Sequence, residues 1–404
     1  MKLSKYNFFY EKGNQCVVFN TFSNSIAILG KDEARALQNM EELTDEELRA
    51  YSEQGIIIED NVDELAMMRF DNAYFAAAGG WHFRILTTTA CNARCTYCYE
   101  KGTAIITMAN ETVEKVVTFI QKTVTSNKPI RIEWFGGEPL VNMPVIQKIC
   151  EKLTELGLPF ESTMVTNGIL LDDWIAKTLK DTCHLNKVQI TLDGLADVYS
   201  AVKGVPQSCF DKVISNIAYL ASNEITVHVR MNYNDNHDEL LDLINYLGKE
   251  LGFNKRIFYY IYPVFEGKES VSEEIMEKVL DLNDALLRAE LMKKSDLYKF
   301  TYRQTRCFAT GYNSFTIAPD GKLYNCSHVL NDDGLIGTVE SYSPYNANRI
   351  RFVDQNISKK CADCVLYPFC KGGCRAAELG EADLNQCVIY KNCIEAVLDR
   401  LLDI

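Results

Sequence analysis

The stretch "ACNARCTYCYEK", Ala90 to Lys101, places Cys91, Cys95 and Cys98 at a C-x3-C-x2-C spacing. A closed zinc site takes four ligands, and disulfides use cysteines in pairs. Three matches neither. The count suits a [4Fe-4S] cluster in which three irons carry thiolate and the fourth stays open to another ligand. Buried free cysteines behave as small hydrophobes, but Asn92, Arg94 and Glu100 give this loop a polar setting.

Working outward, six β-rich runs alternate with helical patterns from Trp81 onward: "HFRILTT", "IRIEWF", "FESTMVT", "KVQITLD", "TVHVRMN" and "RIFYYIYP". Such alternation marks a parallel sheet with crossover helices. The expected fold is α/β, a partial (β/α)6 TIM-like barrel over residues 80–300, in which chemistry gathers at the carboxyl ends of the strands. The first run ends just before the cysteines. The second ends at "FGGEP" (Phe135 to Pro139), the third at "TNG" (Thr166 to Gly168) and the fourth at "LDG" (Leu192 to Gly194).

Two different regions flank this core. Residues 1–70 open with apolar runs around the polar turn "NTFSN", followed by helical patterns at Lys31 to Asn39 and Thr44 to Gln54. This unit is of winged-helix size, with Cys16 expected in its core. Residues 301–404 hold most of the remaining cysteines. The whole chain of 404 residues carries 15 cysteines and a net charge of -13, which disfavours nucleic acid or an anionic membrane as partner. The opening "MKLSKYNFFYEKGNQ" has no long apolar stretch, and no run has transmembrane length. A cytoplasmic location is expected, where so many cysteines would hold metal rather than form disulfides.

With "CNARCTYC", "GGEP", "TNG" and "LDG" in order after successive strands, the chain resembles the radical S-adenosylmethionine superfamily. That resemblance implies that the cofactor's methionine moiety is the missing fourth ligand, and that its cleavage yields a radical able to abstract a substrate hydrogen. By the same correspondence Gly136, Gly137 and Glu138 would meet the methionine amino group and Tyr97 would lie near the adenine. Asn167 and Asp193 would be ribose contacts, and Arg230 a partner for the carboxylate. For the glycines, a bare backbone that lets a ligand approach is the expected reason. No residue is assigned as catalytic acid or base.

The C-terminal spacing resembles the SPASM extension of peptide-modifying members: C-x13-G-x4-C over Cys307, Gly321 and Cys326, then C-x2-C-x5-C-x3-C over Cys361, Cys364, Cys370 and Cys374. This implies two auxiliary [4Fe-4S] clusters, three in all. Cys307, Cys326 and Cys374 would serve one. Cys361, Cys364, Cys370 and a last cysteine would serve the other, with Cys387 favoured over Cys393 because the latter falls inside the helical pattern "VIYKNCIEAVLDRLL". The first set is one ligand short, to be completed by Cys393 or by a substrate thiolate. The N-terminal unit resembles a winged-helix domain that recognises a leader peptide by strand addition.

The function expected is maturation of a ribosomally synthesised precursor peptide, with electrons from a flavodoxin or ferredoxin. Thioether formation is favoured because of the open iron. Carbon-carbon crosslinking and epimerisation are the alternatives. Oxidation of the sulfatase-maturase kind ranks below them, because Ser327 and His328 follow Cys326 where those relatives carry an acidic base. A non-catalytic iron-sulfur electron carrier is the remaining rival.

Overall fold

The computed structural model describes residues 1–41, 43–264, 272–296, 307–380 and 394–402. The chain opens with β1 (Lys2–Leu3), β2 (Asn7–Lys12), β3 (Gln15–Asn20) and β4 (Ser25–Gly30), then α1 (Lys31–Asn39), α2 (Asp45–Glu53) and β5 (Ile57–Ile58). β2, β3 and β4 form an antiparallel meander, while β1 pairs with β5. β3 is buried on both faces, and its period-2 alternation divides it between two cores. Cys16 and Val18 pack with Ala34, Leu37 and Ile57 in a small local core. Val17 and Phe19 turn the other way and join the central core of the molecule.

α3 (Glu64–Ala78) follows, capped by the Asp63 carboxylate on the Ala66 N–H. It runs through the 70–80 interval in which the sequence suggests a boundary. Only Met68 and Asn72 of this helix are buried.

Each of the six β-rich runs forms a strand: β6 (Trp81–Leu86), β7 (Ile130–Phe135), β8 (Phe160–Thr166), β9 (Leu185–Leu192), β10 (Thr226–Tyr233) and β11 (Ile257–Pro263). All five pairings among them are parallel and follow chain order. The crossovers are α4 (Asn110–Thr123), α5 (Met143–Glu155), α6 (Asp173–Asp181), α7 (Ala196–Lys203) with α8 (Ser208–Ser222), and α9 (His237–Glu250), with α10 (Glu273–Arg288) after β11. One face of the strands is apolar and buried under these helices, with Phe83, Ile132, Val188 and Val229 essentially inaccessible. The alternate residues on the other face are largely polar, among them Arg84, Glu133, Thr163, Gln189 and Arg230.

The sheet does not end at β6. β12 (Ser314–Ile317) pairs parallel with it, and β13 (Lys322–Tyr324) and β14 (Leu335–Thr338) continue antiparallel, giving nine strands. The cysteine-rich region is therefore built onto the barrel edge. It continues through α11 (Ala347–Val353), short helical turns at Lys359–Ala362, Tyr367–Cys370 and Arg375–Glu378, and a closing helix at Ile394–Leu402. Among the described residues no helix is long and apolar enough to cross a membrane.

The N-terminal meander is docked on this region. Phe19 meets Phe369 edge-on at 5.3 Å, the Thr21 hydroxyl donates to the Val365 carbonyl, and Tyr6 shares a core with Ile357 and Tyr367.

Candidate active site

The cysteine loop leaves the carboxyl end of β6 and is interlocked with the loop after β7. The Gly137 N–H donates to the Thr88 carbonyl at 3.1 Å and the Glu138 N–H to the Ala90 carbonyl at 2.9 Å. Gly136 has φ of +130°, and a Cβ there would lie 2.2 Å from the Thr88 oxygen; one on Gly137 would lie 2.5 Å from the oxygens of both Thr89 and Ala90. Glycine is required at both positions by the approach of two backbones.

Glu138 is wholly inaccessible. Its Oε1 accepts from the Leu140 N–H at 3.1 Å and the Thr166 hydroxyl at 2.7 Å, and its Oε2 accepts from the Asn167 N–H at 2.8 Å. Burial raises its pKa against the lowering effect of these donors. The carboxylate is a strut between the second and third strand ends. Asn167 Nδ2 in turn donates to Asn92 Oδ1 at 2.7 Å and lies 3.9 Å from Cys91 Sγ, so the third strand end reaches the cysteine loop directly.

The fourth strand end closes the ring. Asp193 is buried, and its carboxylate takes the Tyr97 hydroxyl at 2.9 Å and the Lys203 ammonium at 2.9 Å. Lys203 Nζ also donates to Tyr97 Oη at 2.9 Å. Burial opposes the charge on Lys203, but Asp193 and Tyr97 more than offset it and hold its pKa well above the ordinary value. The same segment binds the loop backbone, with the Arg94 N–H on the Lys203 carbonyl at 2.7 Å and the Thr96 N–H on Val202 at 3.0 Å. Tyr97 and Asp193, expected as contacts to the cofactor, are thus engaged with each other and with Lys203.

Below the loop, Arg84 Nε donates to Glu133 Oε2 at 2.6 Å and its NH1 to the Ser327 hydroxyl at 2.7 Å. Burial would raise the pKa of Glu133, but His82 and Arg84 bring it down to about 2. His328 is reached by solvent and stacks on Tyr99 at 4.4 Å. Burial and the positive charges of Arg84 and Arg230 keep its pKa low. The side chains after Cys326 therefore face the interior of the barrel.

Cys91, Cys95 and Cys98 are all half-buried. The Ala93 N–H donates to Cys91 Sγ at 3.4 Å, and burial raises the thiol pKa of Cys91 and of Cys95. One oxygen of Glu100 is enclosed with no partner among the described residues. A half-buried thiol trio with a backbone donor to sulfur and an unsatisfied carboxylate oxygen at its edge fits a cluster carrying a polar ligand.

The C-terminal thiols fall into two neighbourhoods. Cys326 and Cys374 pack against Ala309, Val329, Phe352 and Ala376, and Cys307 is close enough to Cys326 to act on it electrostatically. Burial pushes the Cys326 thiol up to about 12. Cys361 and Cys364 pack against Tyr6, Ile357 and Tyr367, and Cys370 joins the central core beside Cys364. A cavity of about 210 Å³ opens beside the exposed Cys307, lined also by Asn72, Phe75, His82, Phe308 and Gln355. Among the described residues no three Cys, His, Asp or Glu side chains converge closely enough for one metal ion. Cys387 and Cys393 lie outside the described residues. The sequence reading missed Lys203, Thr166 and Asn92, which carry the ring of contacts. The only signal for Lys203 is its place at the end of α7 just before Gly204.

The Radical SAM superfamily model matches residues 85–277. A probable GTP 3',8-cyclase of Methanosarcina mazei is 31% identical over 287 residues, covering 66% of this chain and 83% of that protein. A cysteine-type anaerobic sulfatase-maturating enzyme of Clostridium novyi is 24% identical, covering 77% of this chain and 93% of the relative. Among solved structures, native anSMEcpe with bound AdoMet and the Kp18Cys peptide aligns with a TM-score of 0.63 at 19% identity, over 80% of this chain and 98% of that one. Streptococcus suis SuiB bound to the precursor peptide SuiA aligns with a TM-score of 0.53 at 14% identity, over 94% and 97%. At these identities the two structures establish likeness of fold.

Proposed function

This chain belongs to the radical SAM superfamily, and from that membership we propose that it modifies a ribosomally made precursor peptide by hydrogen abstraction. The observation that carries the reading is the convergence of four strand ends on one cysteine loop through Glu138, Asn167 and the Tyr97–Asp193–Lys203 group. An electron carrier has no use for such a ring. Cys91, Cys95 and Cys98 would hold a [4Fe-4S] cluster, which with S-adenosylmethionine supplies a carbon radical. The protein's task is to hold the loop rigid and keep water from the reacting atoms. Glu138 and Asp193 act as positioning residues in this reading, and Asn167 and Glu100, beside the cysteine loop, would be candidates for cofactor contacts.

A peptide substrate is supported by the peptides bound in the two structural neighbours, anSMEcpe and SuiB. β2 and β4 are the edge strands of the N-terminal meander among the described residues, and a leader peptide would add to one of them in the winged-helix-like reading of this unit. Cys307, Cys326 and Cys374 would hold one auxiliary cluster, and Cys361, Cys364 and Cys370, with Cys387 as the expected last ligand, a second. Thioether formation is favoured over carbon-carbon crosslinking and epimerisation. The cavity beside Cys307 gives a substrate thiol room at the three-cysteine set, and a metal-bound thiol ionises readily.

The test is anaerobic reconstitution, with roughly twelve irons per chain expected for three four-iron clusters, followed by reduction in the presence of S-adenosylmethionine. Release of 5'-deoxyadenosine that disappears in the Cys91→Ala, Cys95→Ala, Cys98→Ala triple variant supports the reading. Its absence under every reductant would leave an electron carrier. The identity to GTP 3',8-cyclases favours a second reading, nucleotide cyclisation, which predicts turnover of GTP by the same preparation.

A further inference from the structure

Arg230 lies half-buried on the polar face of the barrel strands. It lies on β10 opposite Thr191 of β9 and Tyr260 of β11, two residues short of the level of Asp193. Its Nε donates to Asn232 Oδ1 at 2.8 Å, and its guanidinium lies 4.6 Å from the centre of the Tyr262 ring. Tyr260 is itself fixed by donating to Gln189 Oε1 at 2.7 Å. None of these partners is charged. By contrast, Arg84 is neutralised by Glu133, and Lys203 by Asp193. Arg230 forms no ion pair among the described residues.

A half-buried guanidinium has five N–H groups in a rigid fork that matches a carboxylate. Here the fork is held by the Tyr262 ring and by one neutral acceptor, Asn232, so its geometry is set before any ligand arrives. Leaving such a charge without a counter-ion in a partly desolvated place is costly unless an anion takes part in function. In a chain of net charge -13 this is a local reversal of sign on the polar face of the barrel strands.

We propose that Arg230 is the recognition point for a carboxylate on the peptide substrate, an acidic side chain in or beside the modified segment. The inference rests on the peptide-maturase reading and adds the substrate's chemistry to it. It also replaces the sequence-based expectation that Arg230 serves the cofactor's carboxylate.

The experiment is a display selection of random decapeptides on the anaerobically reconstituted, S-adenosylmethionine-loaded full chain, run in parallel on the wild type, Arg230→Gln and Arg230→Lys. The wild type should enrich Asp or Glu at one position. Changing that residue to Asn or Gln should weaken binding of a recovered peptide roughly ten- to hundred-fold, as expected for a charge-assisted pair. Arg230→Gln should lose the acidic preference, and Arg230→Lys should keep it with weaker binding. S-adenosylmethionine affinity should stay within about two-fold in all three proteins. Recovered peptides with no acidic preference would overturn the proposal and leave the peptide reading standing. A tenfold or greater loss of S-adenosylmethionine affinity in Arg230→Gln would give the carboxylate to the cofactor and also overturn it. If the wild type retains no peptide at all, the proposal is overturned, while the maturase reading is judged separately by release of 5'-deoxyadenosine.

Discussion

The Asp193–Lys203 pair shows what a single residue contributes to the candidate site. Both side chains are nearly inaccessible, and Lys203 neutralises the carboxylate that also holds Tyr97 of the cysteine loop. Lys203→Met is expected to leave that carboxylate buried and unpaired at a cost of about 3–5 kcal/mol, read from urea unfolding, with Lys203→Arg losing much less. Glu133 makes a pH-dependent contribution. Its pKa is depressed from an ordinary 4.5 to about 2, so its stabilisation is fully present above pH 4.5, falls as pH drops through that interval and is gone below about 2. The size is about 3 kcal/mol. Glu133→Gln should flatten the dependence of the unfolding midpoint on pH within that window and leave it unchanged above. Neither pair was legible in the sequence. Lys203 lies ten residues beyond Asp193 at the far end of a helix, and Glu133 looks like any polar residue of a half-polar strand.

Among elements, the six strands were legible because β-branched and aromatic residues cluster between clear turn signals. α3 was not, because its large apolar residues Phe70 and Tyr74 point to solvent and stack on each other at 6.0 Å, so no single stripe marks a buried face. The hairpin β12–β13 that lengthens the sheet was also missed. It is too short to stand out, and its pairing with β6 is a contact between distant parts of the chain. The loops after β6 and β7 act as one element, since their backbones touch at Gly136 and Gly137. Gly137→Ala is expected to force them apart at a cost of about 1–3 kcal/mol. The folded chain should then take up fewer irons than the wild type, with the deficit confined to the signal that responds to S-adenosylmethionine.

At the scale of the whole molecule, the three regions named from the sequence are less separate than their compositions suggest. Removing residues 1–62 is expected to abolish binding of a leader-bearing peptide while leaving peptide-free cleavage of S-adenosylmethionine. It should also lower iron content by about four atoms per chain, because Tyr6 forms part of the wall against which Cys361 and Cys364 pack. Iron analysis and low-temperature electron spin resonance on the shortened chain check both. A shortened chain that keeps all its iron would show that the N-terminal unit supports no cluster. The contacts of Phe19 with Phe369 and of Thr21 with Val365 have one more consequence. They make the N-terminal unit and the distal cysteine region parts of a single thermodynamic cycle. Whatever factor separates leader affinity in the iron-loaded and iron-free chains must equally separate iron affinity with and without the leader. On the peptide-maturase reading, a precursor peptide would then act on its own enzyme as a ligand that changes how tightly the chain retains its metal, by the same factor in both directions.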